Sequence, residues 1–171
     1  LLHIIICIVI IVLRSEMMLT WVVAFVWLVI DQLSKHILPL FLAWYRSVEV
    51  IPGLLRITLV KNQGAAFGLM AGRSLLFIIV ALAFVVFLVI KREALKQNWL
   101  MSWGGPIAAA GALGNAIDRL LFGYVIDFID VPFFSIFNIA DIGIVVGIAL
   151  LSLGIYLTER KQKDGVNNTQ S

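Results

Sequence analysis

The stretch WLMSWGGPIAAAGALGNAIDRLL, residues 99–121, decides the fold. Read as a helix at about 1.5 Å per residue it is roughly 34 Å long, enough to cross the hydrocarbon core of a bilayer. Gly104, Ala108, Gly111, Asn115 and Asp118 follow one another at steps of four, three, four and three, so they share one helical face. Small residues on that face let a neighbouring helix approach closely, and the stripe ends in an amide and a carboxylate. An ionisable group inside a span costs about 3 kcal/mol on insertion scales, so it normally faces a bundle interior. Two roles fit Asn115, Asp118 and Arg119: bonds to neighbouring helices, with Arg119 pairing to a carboxylate, or membership of a polar site.

Three further apolar runs flank this one, at about 18–38, 74–90 and 133–157. With 62% hydrophobic and 13% charged residues in 171, and a mean hydropathy of +1.06, the chain has the composition of a membrane protein. Four spans with short loops fill that length and leave no room for a large soluble domain, which excludes most soluble enzyme folds. The net charge of +3 comes from 13 basic against 10 acidic residues, set beside apolar runs rather than in one basic stripe, so no nucleic-acid partner is expected. Cys7 is alone and no Cys/His cluster has zinc-ligand spacing, so neither redox chemistry, a metal nor a cofactor is indicated.

Four spans put both termini on one side. Arg14, Lys91, Arg92, Lys96, Arg160, Lys161 and Lys163 fall on that side, against Lys35, Arg46, Arg56, Lys61 and Arg73 opposite, and the first set forms tight clusters at span ends. The positive-inside rule then places both termini in the cytoplasm. The segment at about 44–72 differs: Val48, Val50, Ile57, Leu59 and Val60 are strand formers punctuated by Pro52-Gly53, Gly64 and Gly68, which predicts a small hairpin or cradle on the outer surface. Residues 123–132 form a second such piece. The fold expected is an all-α membrane protein with four transmembrane helices and an extracytoplasmic β-cradle. Residues 1–16 read as an upstream extension or short hydrophobic leader, 17–163 as the domain, and 164–171 as a disordered tail.

Asn138 and Asp141, three apart, share a face about one turn into the last span, which aims Asp141 into the bundle. In Tyr124-Val125-Ile126-Asp127-Phe128-Ile129-Asp130, strand alternation sets Asp127 opposite Ile126 and Phe128, while Asp130, two before Pro132, reads as a turn residue. Asp127 and Asp141 thus arrive at one membrane depth from the two ends of a short connection. Paired carboxylates share one proton, and such a pair hydrolyses an amide: the ionised member draws a proton from water and the protonated member hydrogen-bonds the carbonyl. Intramembrane aspartates serve proton or ion transport equally well, so a transporter in which Asp118, Asp127 and Asp141 relay charge stays open on this chemistry.

The ordered blocks Asp31-Gln32-Leu33-Ser34-Lys35, Lys61-Asn62-Gln63-Gly64-Ala65-Ala66-Phe67-Gly68, Gly114-Asn115-Ala116-Ile117-Asp118-Arg119-Leu120, Val125-Ile126-Asp127-Phe128 and Phe137-Asn138-Ile139-Ala140-Asp141 resemble the lipoprotein signal peptidase (signal peptidase II) family. The resemblance runs from about residue 17 to 163. It implies a bacterial aspartic endopeptidase of the inner membrane that removes the signal peptide from prolipoproteins, cutting before a cysteine that carries diacylglycerol. It implies Asp127 and Asp141 as the catalytic dyad at the outer face. Asn62, Gly64, Asn115, Asp118, Arg119 and Asn138 match positions that shape the site, and Asp31 and Lys35 a supporting pair. The partners expected are the lipidated prolipoprotein and membrane lipids, with the enzyme a monomer. Only 13 residues separate the two aspartates, so the loop that covers substrate is expected to be short. A second intramembrane aspartyl class, which pairs one aspartate with a Gly-Asp motif, fits less well because Asp141 follows Ala140.

Overall fold

Helix α1, Met18–Phe41, is polar inside and apolar outside. It buries Thr20, Ala24, Asp31 and Lys35, while Leu19, Phe25, Leu33, Leu40 and Phe41 are exposed. A helix of a water-soluble protein distributes these types the other way round. The inverted arrangement is stable where the surroundings are apolar and polar groups must find partners within the bundle.

The computed structural model describes residues 18–64 and 74–168. After α1 come β1 (Ser47–Ile51), β2 (Leu55–Asn62), α2 (Ser74–Ile90), the single turn α3 (Arg92–Leu95), α4 (Trp99–Phe122), β3 (Val125–Asp130) and α5 (Ile139–Asn168). The expected leader at 1–16, Gly68 and the far end of the expected cradle lie outside the described residues.

Helix α4 is the central one, packing against α1, α2 and α5. Asn98 starts it by accepting the Leu100 N–H at 2.9 Å, and Gly123 ends it at φ 79°, a left-handed cap whose N–H reaches the Arg119 carbonyl. The small-residue face read from the sequence is the contact with α5. A Cβ on Gly104 would sit 2.6 Å from the Gly147 carbonyl oxygen, and one on Gly111 would collide with the carbonyl of Ala140. Two helix backbones come this close only where both faces lack side-chain bulk.

The strands form one antiparallel sheet in the order β1-β2-β3. The second piece read from the sequence is therefore the third strand of the first. Val60 faces Asp127 and Asn62 faces Val125, with a register irregularity between Ile57 and Val60. This bulge gives β2 an extra residue opposite β3, which sinks Leu59 into a cluster with Ile126 and Phe128 and still leaves Asn62 on the Asp127 side.

Among the described residues two helices are long and apolar enough to cross a membrane: α1, and residues Ile139–Asp164 of α5. Helix α2 is apolar but has only 17 residues, and α4 has 24 but carries Asn115, Asp118 and Arg119. The last helix departs from expectation at both ends. It begins at Ile139 rather than near 133, because Phe137 bridges back to Ile129 and Phe133 turns at φ 68°. It runs to Asn168, past the point where a disordered tail was expected. Residues 159–163 are good helix formers, and Arg160 lies 4.0 Å from Asp164 one turn on.

The α4–α5 contact yields a direct test. Gly111→Ala places a methyl against the first turn of α5 and should cost about 1–3 kcal/mol through overpacking. The expected outcome is a lower thermal unfolding midpoint in detergent than that of the unaltered chain.

Candidate active site

The site is assembled from α1 outward. On α1 the Lys35 ammonium is fully buried, 2.9 Å from Asp31 Oδ2 and 3.1 Å from Asp118 Oδ2 on α4, and it donates to Asn115 Oδ1 at 3.1 Å. An isolated buried charge is strongly disfavoured, so the three ions stand only as a set. Each carboxylate also accepts a backbone N–H from an element further along the chain. Asp31 Oδ1 accepts from Ala140 N in the first turn of α5 at 2.7 Å, and Asp118 Oδ2 accepts from Ile126 N in β3 at 3.0 Å.

Those two elements carry the aspartates singled out by the sequence. Asp127 on β3 is buried; Asn62 Nδ2 donates to its Oδ2 at 2.8 Å and Asn138 Nδ2 to its Oδ1 at 2.7 Å. Gly64 contributes its N–H to Asn62 Oδ1 at 3.1 Å, which orients that amide. Asp141 on α5 is half-buried; Asn115 Nδ2 donates to its Oδ1 at 2.7 Å. Asn138 is the cap of α5 rather than a residue one turn inside it. Its Oδ1 accepts from Asp141 N at 2.9 Å while Asp141 Oδ2 accepts from Asn138 N at 3.1 Å, a reciprocal capping arrangement. Asn138 Nδ2 also reaches Asn115 Oδ1 at 3.1 Å, so Asn115 and Asn138 join the two carboxylates from within.

Burial pushes the Asp127 carboxyl up to about 7. The Asn62 amide opposes the rise, the negative charge of Asp141 adds to it, and Asn138 and Lys35 oppose it. Asp127 therefore keeps its proton into the near-neutral range and loses it as pH rises through about 7. Arg119 makes no ion pair among the described residues. Its Nη1 donates to the Asn115 carbonyl at 3.2 Å and its guanidinium lies 4.5 Å over the Phe77 ring.

Arg119, Asn115 and Asp141 form the polar end of a groove of about 420 Å³ between α2, α4 and α5, otherwise lined by residues such as Phe77, Val80, Phe84, Ile144 and Ile148. Among the described residues no three His, Cys, Asp or Glu side chains form a group able to hold a metal ion.

All the site residues named from the sequence thus meet in one network except Arg119, which borders it. Asp130 was misread. It is the last residue of β3, not a turn, and it faces Arg56 across the sheet: the Thr58 hydroxyl donates to it at 2.6 Å and Arg56 pairs at 3.1 Å. The Thr58 bond, with Arg56, draws its carboxyl below the usual range. Two residues were missed. Gln32 Nε2 lies 3.1 Å from Asp31 Oδ2, 3.1 Å from the Gly114 carbonyl and 3.2 Å from Asp118 Oδ1, tying α1 to α4. Trp27 Nε1 donates to the Ile139 carbonyl at 3.1 Å and would obstruct any Cβ on Gly143. A polar Gln32 between Asp31 and Lys35 in an apolar run was the available signal for the first; nothing in the sequence marks Trp27.

Helices with apolar exteriors around a closed network of carboxylates and amides are the build of an integral membrane enzyme. The comparisons with known proteins agree. Residues 23–157 match the model of the family described as Signal peptidase (SPase) II, so the chain belongs to that family. The lipoprotein signal peptidase of Syntrophomonas wolfei is 43% identical over 136 residues, spanning 79% of this chain and 91% of that protein. That of Halothermothrix orenii is 33% identical over 142 residues, spanning 83% and 98%. Among solved structures, a bacterial membrane enzyme determined in meso at 2.3 Å resolution superposes with a TM-score of 0.74 at 35% identity, covering 80% of this chain and 87% of that one.

The buried ions make Lys35 the most sensitive position in the network. Lys35→Met leaves Asp31 and Asp118 buried without a counter-charge and should cost about 3–5 kcal/mol. The expected readout is loss of most folded protein after detergent extraction, judged by size-exclusion recovery and thermal unfolding.

Proposed function

We propose that the chain is an aspartic endopeptidase that removes the signal peptide from diacylglyceryl-modified prolipoproteins, cutting before the lipidated cysteine. The observation that carries this reading is the apolar groove that ends at Asp141, Asn115 and Arg119, with Asp127 joined to Asp141 through Asn115 and Asn138. A helical signal peptide or an acyl chain suits the groove's walls, and the polar end is where a peptide bond would meet Asp141, with Asp127 linked to it through Asn138 and Asn115.

In this mechanism ionised Asp141 takes a proton from water as the water oxygen attacks the scissile carbonyl carbon. The carboxyl of Asp127 hydrogen-bonds the carbonyl oxygen and protonates it as negative charge develops. Collapse of the tetrahedral species breaks the C–N bond, Asp141 returns its proton to the leaving amine, and Asp127 recovers its own from the new hydroxyl. No cofactor takes part. The amides of Asn62, Asn115 and Asn138 hold the two acids in place through the cycle, and the enzyme acts as a monomer.

The chain crosses the bacterial inner membrane four times, by α1, α2, α4 and α5, with both termini cytoplasmic and the sheet at the outer face. The apolar exposed residues of α2, among them Leu75, Ile79, Val80, Val86 and Ile90, support its inclusion despite its length. A substrate already anchored in the bilayer then reaches the site by lateral diffusion. The Lys91, Arg92 and Lys96 cluster beside Arg160, Lys161 and Lys163 supports the orientation.

Asp127→Asn and Asp141→Asn should each abolish cleavage of a lipidated precursor while leaving a folded protein, since the amide keeps the shape and loses the titrating proton. A gel-shift assay checks this, and residual activity near the unaltered level in either variant would remove the dyad. For the unaltered enzyme, kcat/KM should fall as pH rises through about 7, because the proton held on Asp127 is then lost.

An unlipidated precursor offers the same peptide bond at a less defined depth. Acyl chains supply binding energy remote from the reacting amide, so the lipidated form should be cut far faster. Matched precursors with purified enzyme decide the point, and equal rates would indicate a general intramembrane protease.

A further inference from the structure

Lys61 precedes Asn62 on β2 but belongs to the other face of the strand. Its ammonium lies 4.8 Å from the Trp44 ring centroid and 5.0 Å from that of Tyr124, whose rings meet edge to face at 89°. The Tyr124 ring stacks on Phe122 at 5.9 Å, and Phe122 lies 5.8 Å from His36. These rings come from just beyond α1, the last turns of α1 and the end of α4. They form a band at the sheet end of the bundle, the level at which aromatic side chains meet the headgroups of a bilayer.

Two rings hold the ammonium in place without satisfying it. Cation–π attraction uses the charge, not the N–H donors, and among the described residues Lys61 has neither a hydrogen bond nor an ion pair. Half-buried against aromatic rings, it is only partly hydrated. The adjoining last turns of α1 expose Ile37, Leu40 and Phe41, the latter two at 78% and 83%. A charged donor with an extended apolar surface beside it matches an amphiphile: an anionic head on Lys61 and acyl chains along α1.

We propose that Lys61, held by Trp44 and Tyr124, binds the phosphodiester of a phospholipid in the leaflet at the sheet end of the bundle. The site lies on the opposite face of β2 from Asn62 and Asp127, so it serves to hold the sheet at the bilayer surface rather than to take part in cleavage. The inference uses the four-span reading only to bring that end to a bilayer surface. Lipid binding is read without cleavage, so the two readings fail separately.

The test is native mass spectrometry of the purified full chain titrated with phosphatidylglycerol, with a diglucosyl diacylglycerol of the same acyl chains as the phosphate-free probe. Lys61→Met and Lys61→Gln should each weaken retention of one phosphatidylglycerol about tenfold or more, the loss of a charge-assisted contact, while Lys61→Arg keeps it. Retention of the glycolipid should be weak and the same in all four proteins, and excess inorganic phosphate should not displace the phospholipid. Unchanged phosphatidylglycerol retention in both neutral variants would overturn the proposal, as would equal retention of the two lipids. Displacement by inorganic phosphate would overturn it in favour of a free-anion site.

Discussion

The buried ammonium of Lys35 is the constraint on which the rest of the molecule depends. It neutralises Asp31 on its own helix and Asp118 on α4, and these two carboxylates then hold the backbone at the start of α5 and on β3. Neither contact can be given up cheaply, because a buried ion that loses its partner costs about 3–5 kcal/mol against roughly 1 kcal/mol for an ordinary helix cap. The two elements so held are the ones that carry Asp141 and Asp127. Fixing one cation inside the bundle therefore fixes the separation and orientation of both acids.

The apolar frame works toward the same end. Gly104 and Gly111 on α4 and Gly147 on α5 bring the two helix backbones into contact, which sets the depth at which Asp141 sits along the bundle. The sheet sets the depth of Asp127, with the bulge at Thr58–Leu59 letting one face of β2 bury Leu59 while the other presents Asn62. Exposed side chains along the middle of the helices are largely apolar, so polar groups in the middle of the molecule have to be answered within it. The network is closed for that reason: carboxylate, amide and backbone groups satisfy one another from Asp31 through to Asp127.

Within that network the two acids differ by position. Asp127 is held on a buried strand between two side-chain amides, and burial raises its carboxyl to about 7. Asp141 sits at a helix N-terminus, receives a backbone N–H as well as an amide, and opens on the groove. The proposed mechanism assigns the proton donor to Asp127 and the base that meets water to Asp141, chemically identical side chains that one fold places in unlike surroundings.

The sequence by itself determined the elements whose causes are local. Apolar runs and helical spacing marked α2 at residues 74–90 as the structure has it, and they marked the small-residue face of α4. The cost of polar groups in apolar runs singled out Asn115, Asp118 and Asp141, strand alternation set Asp127 apart from Ile126 and Phe128, and only the family resemblance pointed to Asp31 and Lys35. Only the tertiary structure decided what depends on residues far apart in the chain. Phe137 pairing with Ile129 delays the start of α5 to Ile139, and β2 passing beside β3 turns Asp130 from an expected turn residue into the partner of Arg56 and Thr58. Gln32, Trp27 and Lys61 likewise acquire their roles from neighbours brought to them by folding. Burial energetics and periodicity act on each segment alone and can be read along the chain, whereas a hydrogen bond or an ion pair needs two groups within about 3 Å, and that distance exists only after the segments have packed.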